Sequence, residues 1–225
     1  MQPVSSPVDL TRRARSMAVP KKKPRRKTYH HGDLPRALVA AAVEVIERHG
    51  PEAITLREVA AAVGVTHGAA YRHFEDKTAL LAAVAEDGYR ALTARLLAAS
   101  SSDPRGPRAR LESLATTYVA FAMDRPAHYR VMSGPRLNEE GRFPSLEHAI
   151  QEAFDLLIAE IARGQEQGVF RHGVPRDMAV AFWVACHGFA DLVLHRRLKV
   201  KSASAATDYF VRLITPLLDG LVRKP

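Results

Sequence analysis

The sequence predicts an all-α fold: a small N-terminal three-helix helix-turn-helix domain followed by a larger C-terminal helical bundle. Three observations lead there. Apolar residues recur every three or four positions along most of the chain, and no stretch alternates with the two-residue period of a strand. Residues 55–77, TLREVAAAVGVTHGAAYRHFEDK, carry the start and stop signals of two short helices joined by a tight turn, with a third beginning at once. Pro175 to about Arg197 is apolar on nearly every face, as a helix buried on every face would be.

The first 27 residues precede any such pattern. Arg12, Arg13, Arg15, Lys21, Lys22, Lys23, Arg25, Arg26 and Lys27 stand against Asp9 alone, so this stretch carries +8 of the chain's net +9 and residues 28–225 carry +1. Rich in Pro, Ser and basic side chains, it cannot build a core and is expected to be disordered by itself. Joined to a helix-turn-helix, it reads as an arm that neutralises phosphates or enters a minor groove; a solubilising extension is the plainer alternative. Met17 is an alternative start that removes three of the nine basic residues.

Asp33 can cap the first helix, with Pro35 tolerated in its opening turn. Leu34, Leu38, Ala41, Ala42, Val45 and Ile46 form its stripe, and Gly50-Pro51 ends it. Thr55 and Glu58 have the T-x-x-E spacing of a capping box, Val59 and Val63 give the second helix an apolar side, and Ala60 lets a neighbour cross closely. Gly64 falls where the chain must turn sharply, and glycine accepts a positive φ there without steric cost. Thr66 can cap the third helix, with Ala70 and Phe74 turned inward and Tyr71, Arg72 and His73 forming a basic, aromatic end. In a helix-turn-helix this second helix enters the DNA major groove; the plainer alternative is a helical hairpin within some α-domain. Asp76 can cap a fourth helix that runs through Leu80, Leu81, Val84, Leu92 and Leu96 to about Ala99.

Ser100 to Pro107 reads as a loop and a domain boundary. Beyond it, Leu111, Leu114, Tyr118, Phe121 and Ala122 make a stripe closed at Arg125-Pro126. A short piece from Ala127 to Ser133 holds Tyr129 and Met132, and Gly134 to Pro144 is a loop. Ser145 can cap a long helix carrying Leu146, Ile150, Phe154, Leu157, Ile158 and Ile161. The last helix carries Tyr209, Phe210, Leu213, Ile214, Leu217, Leu218 and Leu221, with Pro216 bending it. The expected division is an arm (1–27), the helix-turn-helix domain (28–77), a connecting helix (78–99) and a C-terminal domain (100–225). The last two helices have too little partner surface within one chain. A homodimer that packs them as a four-helix bundle is the simplest remedy, and a monomer with the apolar helix central in its own core is the alternative.

Several function classes are disfavoured. Cys186 is the one cysteine, so there is no disulfide framework and no Cys-rich metal site. Ten histidines invite a metal, but His30, His31, His128, His172 and His195 lack ligand spacing, and none is expected. No run reaches the ~20 apolar residues of a membrane span, and the N-terminus lacks a secretory core. No Gly-rich phosphate loop, G-x-S-x-G or paired-carboxylate motif points to catalysis, so no catalytic residue and no cofactor is expected.

These residues resemble the tetracycline-repressor (TetR) family of bacterial transcriptional regulators. The resemblance runs from Leu34 to about Ala85: an apolar helix ending in glycine, then ITLREVAAAVGV, then YRHF-x-DK-x-x-LL. Trp183, His187 and Gly188, in WVACHG, are similar to the tryptophan and His-Gly signature of one C-terminal subtype. Together these cover nearly all of the chain except the tail. The resemblance implies an all-helical, cytoplasmic, nucleoid-associated dimer. It also implies repression from a palindromic operator, with release when a small molecule binds the C-terminal domain. By position it implies that Thr55, Tyr71, His73 and Lys77 contact phosphates while Arg57, His67 and Gly68 face base edges, with Tyr71 also near a thymine methyl. The chain departs from a polar reading helix at Gly68, Ala69 and Ala70, which offer no side-chain hydrogen bond. Direct readout then rests on Arg57, Thr66 and His67, with methyl contacts and DNA shape supplying the rest.

For the effector, the candidate lining is Tyr118, Phe121, Met132, Phe154, Leu157, Ile158, Trp183 and His187. Ordinary core packing is the competing reading of each. A histidine on a buried helix needs a hydrogen-bond partner, either a backbone carbonyl or a ligand. The rival function is an architectural DNA-binding protein that has no effector and little sequence preference.

Overall fold

The computed structural model describes residues 33–101 and 104–223, the side chain of Glu140 excepted. The basic tail and the His30-His31 pair lie outside the described residues. Nine α-helices follow in order among the described residues: α1 (Leu34–His49), α2 (Leu56–Val63), α3 (His67–Tyr71), α4 (Lys77–Ser101), α5 (Pro107–Asp124), α6 (Pro126–Met132), α7 (Pro144–Glu166), α8 (Pro175–Leu194) and α9 (Ala203–Leu221). The expected all-α fold is what forms. The one β-like feature among the described residues is an isolated bridge between Phe170 and Val222, which ties the end of the chain to the α7–α8 turn.

The short N-terminal helices are fixed by their ends. Thr55 Oγ1 accepts the Glu58 N–H at 3.2 Å, and Thr66 Oγ1 accepts the Ala69 N–H at 3.3 Å. Asp76 Oδ1 accepts the Ala79 N–H at 2.7 Å and so starts α4. Gly64 ends α2 in the left-handed region at φ 79°. Two expected caps are not caps. Asp33 makes no capping bond and instead lies 3.7 Å from Arg36. Ser145 is already inside α7, which starts one residue earlier with Pro144 in its first turn. There the neighbouring loop does the organising: buried Asn138 accepts the Phe143 N–H at 2.6 Å and donates to Glu147 at 3.1 Å. The expected loop from Ser100 is shorter than predicted, since α4 continues to Ser101.

Two large cores lie along α4, beside a small third cluster of Ala122, Tyr129 and Ala190. The first joins Leu38, Val45 and Ile46 of α1 to Val59 and Ala60 of α2, Ala70 and Phe74 around α3, and Leu80, Val84 and Ala85 of α4. It also takes in Ala127 and Val131 of α6 and Leu146 of α7, so the three-helix head rests on the body. The second core surrounds α5: Leu111, Leu114, Val119 and Phe121 meet Leu92 and Leu96 of α4, Ile161 of α7, Phe182 and Cys186 of α8, and Phe210 and Ile214 of α9. α4 belongs to both. Gly88 marks the changeover, and α6 lies against it so closely that a Cβ there would fall 2.6 Å from Met132 Sδ and 3.2 Å from His128 Cβ.

α8 is the one helix among the described residues long and apolar enough to match a membrane span in length and composition. Seven of its residues are buried against the body. Val180, Trp183, Val184 and Leu192 nevertheless stay 40 to 56% exposed, the first two where the helix borders a cavity. The helix is therefore not buried all round within one chain.

Candidate functional site

The candidate DNA contacts of the head are open to solvent. Thr55, Arg57, Thr66, His67, Gly68, Tyr71 and His73 are all exposed, on or beside α2 and α3. Ala60 and Ala70 are buried between the two helices, and that close crossing is what turns the other residues outward. The His67 and Tyr71 rings meet edge to face with centroids 4.4 Å apart, which stiffens an otherwise small surface. Gly68 faces open space: a Cβ added there would meet nothing within 4 Å. Lys77 is half-buried at the start of α4, with its ammonium bonded to the Glu52 carbonyl. A phosphate would have to displace that carbonyl. Arg142, from the loop before α7, bonds Glu75 at 3.0 Å and Asp76 at 2.7 Å and so ties the head to the body beside this point.

A second feature lies in the body. A cavity of about 370 Å³ opens between α4, α5, α6, α7 and α8. Six of the eight residues expected to line it do so: Tyr118, Met132, Phe154, Leu157, Trp183 and His187. Phe121 and Ile158 do not. Phe121 is fully buried in the body core beneath the Arg95 guanidinium, 5.5 Å from its ring centre. Ile158 follows Leu157 directly, and neighbouring helical positions point about 100° apart. The sequence reading missed Tyr89, Tyr129, Glu147 and Arg176, which also line the cavity. Tyr129 was visible as an aromatic in a short piece, but nothing in its spacing aimed it inward.

The cavity's walls are aromatic and aliphatic, and its polar groups are sorted. Glu147 and Arg176 are exposed, with Arg176 lying over the Phe154 ring at 5.6 Å. Further in, His187 Nδ1 sits 3.1 Å from the Tyr118 hydroxyl and 3.2 Å from the Tyr129 hydroxyl, which also donates to the His187 carbonyl at 3.2 Å. His187 is thus held by two tyrosines rather than by a backbone carbonyl accepting from its ring. Burial pushes the Tyr118 and Tyr129 phenols well above their usual range and Tyr89 up to about 12, so all three stay protonated. Burial lowers the His187 pKa, partly opposed by Asp191, and favours the neutral ring. The set is satisfied when Tyr129 donates to the carbonyl and Tyr118 donates to Nδ1. The imidazole proton then belongs on Nε2, which makes no hydrogen bond among the described residues. No three His, Cys, Asp or Glu side chains gather as metal ligands among the described residues.

An exposed two-helix reading surface and a walled internal cavity, joined by one helix, define a helix-turn-helix DNA-binding regulator. The comparisons agree. Residues 38–84 match the model for bacterial regulatory proteins of the tetR family, and residues 111–217 match the tetracyclin repressor-like C-terminal domain. The chain belongs to the tetR family of DNA-binding transcriptional regulators and is not an enzyme. A nucleoid occlusion factor, SlmA, from Marinobacter nauticus is 29% identical over 144 residues, covering 64% of this chain and 72% of that protein. Among solved structures, a Rhodococcus protein of unknown function is 30% identical with a TM-score of 0.73, covering 88% of this chain and all of the other. A tetR-family regulatory protein from Rhodococcus shares the fold at 24% identity and a TM-score of 0.64, over 85% of this chain and 98% of that one.

Proposed function

We propose that this protein is a ligand-responsive repressor that binds a palindromic operator as a dimer and is released when a small molecule fills the cavity. The observation that carries this reading is α4. Its first turn, at Lys77, adjoins the reading helix, while Tyr89, Leu92 and Leu96 further along it line the cavity. Twenty-five helical residues span ~37 Å, so cavity and reading head sit at two ends of one lever. An occupant that displaces Met132 presses on α4 at Gly88, where the two helices already touch.

On DNA, Thr55, Tyr71, His73 and Lys77 hold phosphates, and Arg57, Thr66, His67 and Gly68 face the bases. The open space at Gly68 supports close backbone approach to the groove. The exposed row of Val180, Val184 and Leu192 on α8, with Gly188 in register and unobstructed, supports docking of a second copy. Leu213 and the unobstructed Gly220 extend that surface onto α9. Two reading helices then sit about one DNA turn, ~34 Å, apart. The protein works in the cytoplasm, at the nucleoid.

Likeness to a nucleoid occlusion factor favours a second reading, in which DNA binding serves the chromosome rather than an effector. Selection of bound sequences from random DNA, followed by the mass of the complex on the selected duplex, separates the two. The repressor reading expects one dominant palindrome carrying two chains. Sequence-indifferent binding, or one chain per duplex, contradicts it.

A further inference from the structure

Charged groups at the cavity's edge and neutral ones within it restrict what can be held there. Resting on the reading of the cavity as an effector site, we propose that it selects an uncharged, largely apolar molecule bearing a carbonyl oxygen, which accepts a hydrogen bond from His187 Nε2.

The argument starts from what lies inside. Tyr118, Tyr129 and His187 form one hydrogen-bonded set, and every member is neutral: burial keeps the phenols protonated and the imidazole unprotonated. A carboxylate or phosphate seated among them would give up its hydration with no opposing charge beside it, and isolated buried charge is costly. Among the described residues, the one cationic side chain lining the cavity, Arg176, is exposed and lies on the Phe154 ring. The carboxylate that lines it, Glu147, is also exposed and bonds Asn138 at 3.1 Å.

Within the neutral set one donor is spare. Nδ1 is occupied by the tyrosine hydroxyls, and Nε2 has no partner among the described residues. His187 lines the cavity, and a spare donor there favours a molecule with an acceptor, because one lacking it strands the donor without water. Trp183 packs beside this group, its ring centre 5.2 Å from that of His187 and 6.3 Å from that of Phe154. Most of the remaining wall, such as Leu92, Leu114 and Ile150, is apolar, and its other polar side chains already donate to protein atoms: Tyr89 to the Met132 carbonyl, Ser133 to the Tyr129 carbonyl and Gln151 to Asp155. An acceptor-tipped apolar body fits this arrangement.

Trp183 is the single tryptophan of the chain, so its emission reports the cavity directly. The test uses three probes of matched shape: 4-phenylcyclohexanone, 4-phenylcyclohexanecarboxylate and phenylcyclohexane. Each is titrated into the full-length protein with excitation at 295 nm and checked by calorimetry. The ketone should bind about fivefold tighter than the hydrocarbon, as one net hydrogen bond allows, and at least tenfold tighter than the carboxylate. His187→Phe should remove the ketone's advantage while the hydrocarbon still binds. Should that variant not fold, nitrogen-15 spectra of histidine-labelled wild-type protein give the same answer. They should show the proton on Nε2 and a shift of that resonance with the ketone but not with the hydrocarbon.

A carboxylate that binds as well as the ketone overturns the selection but leaves the cavity a ligand site. So does a ketone preference that survives His187→Phe, or a proton found on Nδ1. Failure of all three probes to bind overturns both the selection and the reading beneath it.

Discussion

The head and the body solve the same problem, holding helices together, by different means. α2 and α3 have eight and five residues, too few to be stable alone. They are held by particular atoms: a threonine hydroxyl at the start of each, a left-handed glycine at the turn between them, and buried alanines on both. The body's α5, α7 and α8 run 18, 23 and 20 residues and are held by broad apolar stripes. Stripes tolerate substitution as long as volume is kept. The head therefore spends its sequence on local geometry. The body has freedom to leave a cavity open and an apolar side uncovered.

The sharpest challenge to that contrast is Glu160, a buried charge in the apolar body. It is 4% exposed and accepts from Ser100 at 2.6 Å, Arg110 at 2.9 Å and Arg163 at 2.8 Å, joining α4, α5 and α7. Glu160→Ala leaves the largely buried Arg110 unpaired and should cost about 3–5 kcal/mol in denaturant unfolding. A loss under about 1 kcal/mol would mean that the stripes alone hold the body together.

Two helical glycines, one in each region, sharpen the contrast further. In α7, a Cβ on Gly164 would fall 2.1 Å from the buried Phe170 ring, so Gly164→Ala should destabilise the protein by about 2–3 kcal/mol. In α3, Gly68 has open space around it. Gly68→Ala should raise thermal stability by up to about 1 kcal/mol. It should also weaken operator binding several-fold in a mobility-shift titration, because the added methyl stands between α3 and the groove. Unchanged DNA affinity would remove Gly68 from the reading surface.

The smallest effect concerns the tie between the regions. The Asp76 carboxyl is held below its ordinary value of 3.8, first by the Ala79 N–H and then by Arg142. Its folded pKa is depressed, so its contribution is fully present above the unfolded value and is lost as pH falls through the lower folded one. Asp76→Asn should therefore lower stability by more at pH 7 than at pH 2. An equal deficit at both pH values would assign the effect to packing.

Much of the head was legible because its signals are local. Thr55, Gly64, Thr66 and Asp76 each act within four residues of themselves, and each sits where the sequence put it. Asp33 and Ser145 show the limit: a residue suited to capping does not cap when a proline and a neighbouring loop set the helix start. The cavity was only half legible. Tyr118 and Phe121 share one sequence stripe, yet one lines the cavity and the other fills the core. A cavity is the space that crossing helices leave, and its walls come from α4, α5, α6, α7 and α8 together. No spacing within a single helix encodes that. The exposed side of α8 was legible as a surplus of apolar surface and reappears as Val180, Trp183, Val184 and Leu192.

The central claim is that the two regions communicate through α4. The direct measurement is the affinity of 4-phenylcyclohexanone, read from Trp183 emission, for the free protein and for the protein saturated with its selected operator duplex. Linkage requires that operator weaken the ketone by the same factor by which the ketone weakens operator. A fall of tenfold or more, equal in both directions, is the result this account predicts. An affinity for the ketone that is the same with and without operator would contradict it.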